Sequence, residues 1–319
     1  MKLESIGFYT LSDKRAETSS AHTPLWRCEL ILGARCNFKC PYCRHVGGKD
    51  LEQSKAEDIV RLWASQGLKN IRFSGGEPTL QPGLIKLVVL AKELGVERIA
   101  ISTNGSAHYE LYQSLIEAGV NDFSISLDAC CAEDGDKMAG GKKGAWNKVV
   151  DNIRQLSKLT YVTVGVVLTS QNIHIVNEVI QFAHNLGVSD IRIIPAAQEG
   201  NILQSVYVDQ LLLDSHPILK YRIQNMQAGK VVRGLSPADP NRCPLVLDDM
   251  AVVGEEHYPC IIYMRERGNP IGRIGPNMRT EREAWARKHN THLDPICSKN
   301  CLDVCIEFNK KKLQLNIST

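Results

Sequence analysis

Residues 28–43 read Cys28-Glu29-Leu30-Ile31-Leu32-Gly33-Ala34-Arg35-Cys36-Asn37-Phe38-Lys39-Cys40-Pro41-Tyr42-Cys43. A short apolar segment runs directly into a loop that carries three cysteines. The stretch 28–32 reads as a buried strand, and the loop that follows it is where α/β proteins gather ligands, at the C-terminal end of a strand. Three thiolates within eight residues can converge on one metal centre. They are one too few for a closed tetrahedral zinc site or a fully protein-ligated cubane. A 4Fe–4S cluster held by Cys36, Cys40 and Cys43 keeps one iron open to an outside ligand, and chemistry becomes available at that corner.

Outward from this loop, short apolar strands alternate with amphipathic helices. Strands are expected at 28–32, 70–73, 98–103, 122–127, 161–168 and 190–195, and helices at 55–66, 81–94, 109–118, 146–159 and 173–186. Gly67, Gly95, Gly119 and Gly187 each follow an apolar helical pattern, where a C-cap is expected. Alternation of this kind implies right-handed βαβ units and a parallel sheet. Six strands are short of the eight that close a barrel. The expected fold class is α/β: an open, partial (β/α)6 TIM-like barrel with a small cysteine-rich C-terminal extension. Residues 197–239 read as a helix or two plus a connector, and after about residue 240 the alternation stops.

Composition narrows the function classes. With 43% apolar and 23% charged residues over 319 positions, the chain is an ordinary globule and not a disordered one. Its longest apolar run, 87–91, cannot cross a bilayer, and the polar, mixed-charge segment 1–20 is no signal peptide. A cytoplasmic location, without membrane attachment, is expected. The net charge of +3 is too small to indicate a nucleic-acid partner by itself. From 261 to 319, however, eleven Lys/Arg face six Asp/Glu, a local surplus consistent with a solvated surface or with attraction of an anionic substrate. Eleven cysteines, an odd number gathered in clusters, argue for metal ligation over a disulfide framework.

The C-x-x-x-C-x-x-C loop, with Tyr42 just before its last cysteine, resembles the signature of the radical S-adenosylmethionine (radical SAM) family. Ser74-Gly75-Gly76-Glu77-Pro78 after the second strand looks like that family's GGE motif. Ser102-Thr103-Asn104-Gly105 at the end of the third strand and Ser124-Ile125-Ser126-Leu127-Asp128 in the fourth are similar to many members. The resemblance implies that Cys36, Cys40 and Cys43 hold a 4Fe–4S cluster whose open iron is chelated by the methionine end of SAM. Gly75 and Gly76 would let backbone approach that methionine, with Ser74 beside them and Glu77 offering its carboxylate or nearby carbonyls to the ammonium. Ser102, Thr103, Asn104 and Ser126 would hydrogen-bond the ribose or carboxylate, and Tyr42 would lie near the adenine. It also implies a one-electron reductant such as flavodoxin or ferredoxin, and a 5′-deoxyadenosyl radical that takes a hydrogen atom from substrate.

A second cysteine group follows. Cys243 and Cys260 flank a stretch that reads as a β-hairpin, and Cys297, Cys301 and Cys305 recur at helical i, i+4 spacing, which places them on one face. This resembles the twitch or SPASM extension that holds an auxiliary 4Fe–4S cluster, with five candidates for four places. His289 and His292 precede Cys297 closely, which leaves zinc as an alternative there; the histidines themselves read as solvent-facing residues at a helix end. The domain organisation expected is an N-terminal extension (1–27), a radical SAM partial barrel with connector (28–239) and a twitch/SPASM-like segment (240–319).

Asp128, Cys130 and Cys131 follow the fourth strand and face the expected substrate cavity. A carboxylate there is a candidate proton acceptor and a thiol a candidate hydrogen-atom donor; a loop hydrogen bond and inert buried thiols are the structural alternatives. Asn172 reads as a cofactor contact or a helix cap, and Arg192 and Pro195 as residues near the methionine carboxylate and the adenine. Cys28 reads as core. No P-loop, G-x-S-x-G or H-E-x-x-H occurs. The stretch before Arg27 is too short for the winged-helix leader-binding domain of peptide-modifying relatives. The chain ends Asn316-Ile317-Ser318-Thr319, without the Gly-Gly tail of the molybdopterin-precursor cyclases, which argues against that activity. The reading is an enzyme that oxidises or rearranges a small-molecule or nucleotide-like substrate, including a modified base on nucleic acid. A radical SAM peptide or protein maturase is the enzyme alternative, and a zinc-stabilised binding protein the non-enzyme one.

Overall fold

The computed structural model describes residues 15–44, 47, 50–200 and 206–317; the first fourteen residues of the expected N-terminal extension, and the terminal pair Ser318-Thr319, lie outside the described residues. In chain order the elements begin with α1 (Arg15–Thr18), β1 (Arg27–Ile31), α2 (Gln53–Ser65), β2 (Asn70–Ser74), α3 (Leu84–Glu93) and β3 (Arg98–Thr103). They continue with α4 (Tyr109–Ala118), β4 (Asp122–Ser126), α5 (Ala132–Met138), α6 (Ala145–Leu156), β5 (Tyr161–Leu168), α7 (Val176–Asn185) and β6 (Asp190–Pro195). The last third holds α8 (Gln210–Ser215), α9 (Pro217–Gln227), β7 (Asp249–Val253), β8 (Glu256–Tyr258), α10 (Ile261–Arg265), β9 (Gly272–Arg273), α11 (Met278–Lys288), α12 (Pro295–Asn300) and α13 (Asp303–Ile317). No helix among the described residues is long and apolar enough to cross a membrane.

The chain forms two compact units: the described residues of Met1–Ala34, Arg44–Ile99 and Arg233–Thr319, and those of Arg35–Cys43 and Ala100–Val232. Strand β3 begins in the first and ends in the second.

In the first unit the strand order is β2-β1-β7-β8-β9. Strand β1 pairs in parallel with β2, from Arg27↔Asn70 to Ile31↔Ser74, and on its other edge in parallel with β7, from Arg27↔Asp249 to Ile31↔Val253. A strand hydrogen-bonded on both edges and covered on both faces favours apolar residues; Cys28, Leu30 and Ile31 are buried accordingly, with Glu29 the buried charged exception. Helix α2 buries Ala56, Ile59, Val60 and Trp63, one stripe at 3.6-residue spacing. The expected hairpin around Gly254 is present as antiparallel β7 and β8. Its parallel union with β1 went unread, because a pairing 222 residues distant leaves no local pattern.

The second unit orders its strands β6-β5-β4-β3, all parallel, with Ala100↔Asp122, Asp122↔Tyr161 and Thr163↔Asp190 opening the three registers. Phe123, Ile125, Val162, Val164, Val166, Ile191 and Ile193 form its core, while Trp146 stacks on Phe182 at 5.3 Å. The parallel sheet does not close into a barrel, as six strands predict. Helix α3 starts three residues later than its apolar pattern, since Pro82-Gly83 intervenes after a 3-10 turn at Pro78–Leu80. Helix α5 was not anticipated; Met138 is its one buried residue, so it carries no amphipathic signal.

A buried arginine locks the extension. Arg282 on α11 is 0% exposed. Its Nε donates to Val246 O at 2.9 Å, Nη1 to Tyr258 O at 3.0 Å and Nη2 to Pro259 O at 3.2 Å, with Asp249 O a further acceptor. Nη1 also donates to His257 Nδ1 at 3.1 Å, which leaves the ring proton on Nε2, facing Glu281 Oε2 at 2.9 Å. Burial and then the Arg282 charge push His257 down to about 4, so the imidazole is neutral at physiological pH. Arg282→Met strands these buried carbonyls without donors and is expected to cost roughly 3 kcal/mol, read as a lowered urea midpoint; an unchanged midpoint would show that the guanidinium network is dispensable.

Candidate functional site

The cysteine loop belongs to the second unit. Cys36 is exposed, and Cys40 and Cys43 are half-buried. The loop is held at several points: Cys43 N donates to Cys40 O at 3.0 Å, and Lys39 N to Ala139 O at 3.3 Å. A Cβ on Gly140 would stand 2.7 Å from Lys39 O, so only glycine admits that approach. Asn37 Nδ2 donates to Ser106 Oγ at 2.8 Å, and Asn104 Nδ2 to Asn37 Oδ1 at 2.8 Å, with Cys36 Sγ 3.9 Å from the same nitrogen. The structure thus brings Asn104, at the end of β3, against the cysteine loop. Burial, then the charges of Asp128, Cys43 and Cys36, push the Cys40 thiol up to about 12. The Cys40 sulfur, resistant to ionisation by itself and within electrostatic reach of Cys36 and Cys43, suits a cationic iron–sulfur centre that supplies the missing positive charge.

Tyr42 and Asp128 meet. Tyr42 Oη donates to Asp128 Oδ2 at 2.5 Å, and Val167 N donates to Oδ1 at 2.7 Å. Asn172 Nδ2 donates to the backbone oxygens of Asp128 (3.1 Å) and Val167 (2.9 Å), while its Oδ1 accepts Thr169 N at 2.8 Å. Burial raises the Asp128 carboxyl to about 6 against the lowering effect of those two donors. Both of its oxygens are engaged in bracing the loop. Cys130 is half-buried; Cys131 is exposed at the start of α5, its Sγ 3.4 Å from Asp134 Oδ2. Ser126 is exposed and Ser102 half-buried at their strand ends. Thr103 Oγ1 instead serves the turn, accepting Gly105 N at 3.1 Å and meeting Tyr112 Oη at 3.2 Å. Arg192 Nη2 donates to Ser124 Oγ at 3.3 Å.

Sequence reasoning missed Asn37, Ser106 and Asn152. Asn152 Nδ2 donates to Gly105 O (2.7 Å) and Ala107 O (3.0 Å), which holds the turn after β3. A polar residue inside the buried stripe Val149, Val150, Ile153, Leu156 of α6 was the available signal, since buried amides need partners.

The glycine-pair loop belongs to the first unit. Leu32 N donates to Ser74 O and Gly76 N to Gly33 O, both at 2.9 Å. Gly75 has φ 150, and a Cβ there would lie 2.6 Å from Gly33 O. Glu77 is buried, its Oε1 accepting Thr79 N (3.1 Å) and Thr79 Oγ1 (2.6 Å) at the head of the 3-10 turn. Arg265 Nη2 donates to Gly75 O at 3.3 Å.

The late cysteines all lie in the first unit. Cys243 precedes a 3-10 turn and Cys260 caps α10 with its Sγ accepting Tyr263 N at 3.4 Å; Cys297 lies within α12, Cys301 is its C-cap and Cys305 stands in the first turn of α13, so the three do not share the single helix face their spacing suggests. Cys243 is pushed up to about 11 by burial, with a contribution from Cys305. Cys260 is raised by burial, then by Cys305 and Cys243, and Cys297 by burial, then by Cys243 and Cys260. Cys301 is raised first by a hydrogen bond with Cys305 and then by burial. Five thiols therefore share one neighbourhood. Among the described residues, the metal-sized group with ligand atoms within 4.8 Å of one another is His289, Asp294 and Cys297, not a set of cysteines.

His289 corrects an expectation. It stands at the end of α11, but it is stacked on Trp285 at 4.0 Å, with Nε2 3.7 Å from Cys297 Sγ, because Trp285 offers an apolar face one turn earlier. His292 Nε2 meets Asp239 O at 2.8 Å. Much of the basic surplus has partners within the chain, several of them at the surface. Arg279 donates to Ser20 O and Leu247 O, Arg273 pairs with Glu255, Arg287 with Glu283, Lys310 with Asp239 and Lys311 with Glu17.

Two expected outcomes follow from this geometry. Gly75→Ala forces a methyl against Gly33 O and is expected to weaken SAM binding at least tenfold in equilibrium dialysis; unaltered affinity would remove the glycine from the site. For Asp128, the unfolded chain ionises near 3.8 and the native one near 6. Between those values the native state binds more protons, so its stability falls as pH rises through the window and the deficit persists above it. Asp128→Asn should therefore gain on the parent by on the order of 2 kcal/mol between pH 4 and pH 7, in urea midpoints of the cluster-free protein; parallel pH profiles would contradict this.

Comparison with known proteins agrees with the strand-end motifs. Residues 30–183 match the family model described as the Radical SAM superfamily. A probable GTP 3′,8-cyclase of Sulfurisphaera tokodaii is 28% identical over 199 residues, covering 60% of this chain and 63% of that protein. One from Saccharolobus solfataricus is 31% identical over 178 residues, covering 54% and 57%. The match thus spans less than two thirds of these relatives. Among solved structures, native anSMEcpe with bound AdoMet and Kp18Cys peptide superposes with a TM-score of 0.60 at 16% identity, covering 92% of this chain and 98% of that one. Streptococcus suis SuiB superposes at 0.59 with 15% identity, covering 86% and 67%; at such identities the likeness is one of fold. A parallel sheet whose first loop carries C-x-x-x-C-x-x-C, within the segment that the family model matches, gives this chain a radical SAM domain, that of a superfamily that binds a 4Fe–4S cluster and S-adenosylmethionine.

Proposed function

We propose that this radical SAM enzyme acts on a nucleotide-like small molecule, oxidising or rearranging it after removal of a hydrogen atom from an unactivated C–H bond. The supporting observation is the similarity of more than half the chain to proteins named GTP 3′,8-cyclase. The basic C-terminal surplus adds little, because much of it is paired with carboxylates or carbonyls of the chain itself. SAM, bound at the cluster and given one electron by a flavodoxin- or ferredoxin-type donor, would supply the 5′-deoxyadenosyl radical that takes the hydrogen atom.

In this reading Cys36, Cys40 and Cys43 hold the first cluster. Asn37 and Asn104 keep their loop in place by mutual hydrogen bonds, and the Tyr42–Asp128 bond braces it from the barrel side. Gly75 and Gly76 leave backbone open to the methionine group. With the Glu77 carboxylate bound to Thr79, the loop carbonyls are the better partners for its ammonium. Ser102 and Ser126, the accessible hydroxyls at the strand ends, would meet the ribose or carboxylate. Cys130 and Cys131 are the candidate hydrogen-atom donors; Asp128 fits a positioning role better than that of a base. Four of the five residues Cys243, Cys260, Cys297, Cys301 and Cys305 supply the ligands of an auxiliary cluster in the segment 240–319, in a protein of the cytoplasm.

The test is isotopic. Anaerobically reconstituted protein, dithionite and SAM are incubated with GTP or other nucleotides deuterated on ribose and base, and with cysteine-containing peptides in parallel. Deuterium from a nucleotide should appear in 5′-deoxyadenosine. Transfer from peptides alone would replace this reading with that of a maturase.

A further inference from the structure

Beside the late cysteines stands a side chain that no cluster assignment uses. His289 Nε2 lies 3.7 Å from Cys297 Sγ and 3.4 Å from Asp294 Oδ2. Its ring has little freedom. Trp285 stacks on it with an interplanar angle of 14° and a centroid separation of 4.0 Å, and Tyr263 packs edge-on at 6.1 Å. The backbone is held as well: His289 N donates to Trp285 O at 2.8 Å, and Arg242 Nη1 donates to His289 O at 2.9 Å.

We infer that His289 donates a hydrogen bond to the Cys297 thiolate of the loaded auxiliary site and is a positioning residue that raises the reduction potential of the auxiliary cluster. The inference rests on the reading of the late cysteines as cluster ligands, Cys297 among them. Proton placement follows from the neighbours. Asp294 Oδ1 accepts Ile296 N and Cys297 N, each at 2.8 Å, and its Oδ2 accepts Tyr263 Oη at 2.9 Å. A carboxylate surrounded by donors has no proton to give, and neither has a metal-bound thiolate. The nitrogen that faces both must carry the hydrogen. Asp294 thereby orients the imidazole, as carboxylates orient histidines around metal centres. A hydrogen bond to a ligating sulfur draws negative charge from the cluster and favours its reduced form.

A separate dication held by His289, Asp294 and Cys297 is the less economical reading, although the three ligand atoms gather within 4.8 Å. It would have to take an oxygen of Asp294 from Tyr263 or from the cap of α12.

The experiment uses the full chain with Cys36, Cys40 and Cys43 changed to Ala, so that a reconstituted cluster resides on the late cysteines alone. Its midpoint potential is read by EPR-monitored redox titration with His289 intact and in His289→Phe, His289→Leu and His289→Gln. Both apolar variants should shift the midpoint to more negative potential at unchanged iron and sulfide content. His289→Gln, which retains an N–H donor, should lie between them and the parent. A midpoint that does not move in either apolar variant overturns the inference. Loss of the cluster's iron from both apolar variants overturns it too, since the imidazole would then be a ligand. If the chain with His289 intact takes up no cluster, the reading of the late cysteines itself fails, a result distinct from either.

Discussion

The contact on which the first unit's site depends is the one between two loops without side chains. Gly33 O, one turn past the end of β1, accepts the N–H of Gly76 at 2.9 Å, and the space beside it at Gly75 admits no Cβ. Parallel strands do not share a tight turn, so the loops that leave their C-terminal ends must be joined by contacts of this kind. Here the join ties the exit of β1, from which the chain runs into the cysteine loop, to the glycine pair after β2. Every later choice in the site assumes that those two exits are stationary.

Within each unit the protein uses buried polar groups as fasteners. Asp128 holds Tyr42 and the backbone of Val167, Asn152 holds the turn after β3, and Arg282 gathers the carbonyls on either side of the hairpin that leads to Cys260. Each is fully partnered, as burial of such groups demands. Their cost is specificity of position: each fastener fixes a loop that has no regular structure of its own. In the C-terminal segment Arg279 and Arg282 are turned inward on backbone carbonyls, where charge serves the fold, while Arg273 and Arg287 pair with carboxylates at the surface.

Much of the fold was legible in the chain. The strands 98–103, 161–168 and 190–195 coincide with β3, β5 and β6, because buried parallel strands are short, continuous apolar runs bounded by turn residues. Gly67, Gly95, Gly119 and Gly187 all take positive φ after the helices they were expected to end. What escaped has a common cause. Helix α5 buries too little to show periodicity, and β7 reaches β1 across most of the sequence. His289 looked like a solvent-facing helix end because nothing local announces that Trp285 and Cys297 enclose it. Tyr42 and Asp128, read separately as a cofactor contact and a base, prove to be one hydrogen-bonded pair from loops 86 residues apart.

The linear order of residues was enough to point to the class of chemistry: cysteine spacing and glycine pairs are local quantities that carry the family resemblance, which implies the cofactor, and the apolar period gives the sheet. Tertiary structure alone decided which polar side chains remain available to a ligand and which are consumed as fasteners. That distinction depends on the burial and partners of each group, and partners arrive from anywhere in the chain. For Asp128 the structure shows the hydrogen bonds that were one of its two readings, and for His289 an enclosed ring where a solvent-facing one was expected.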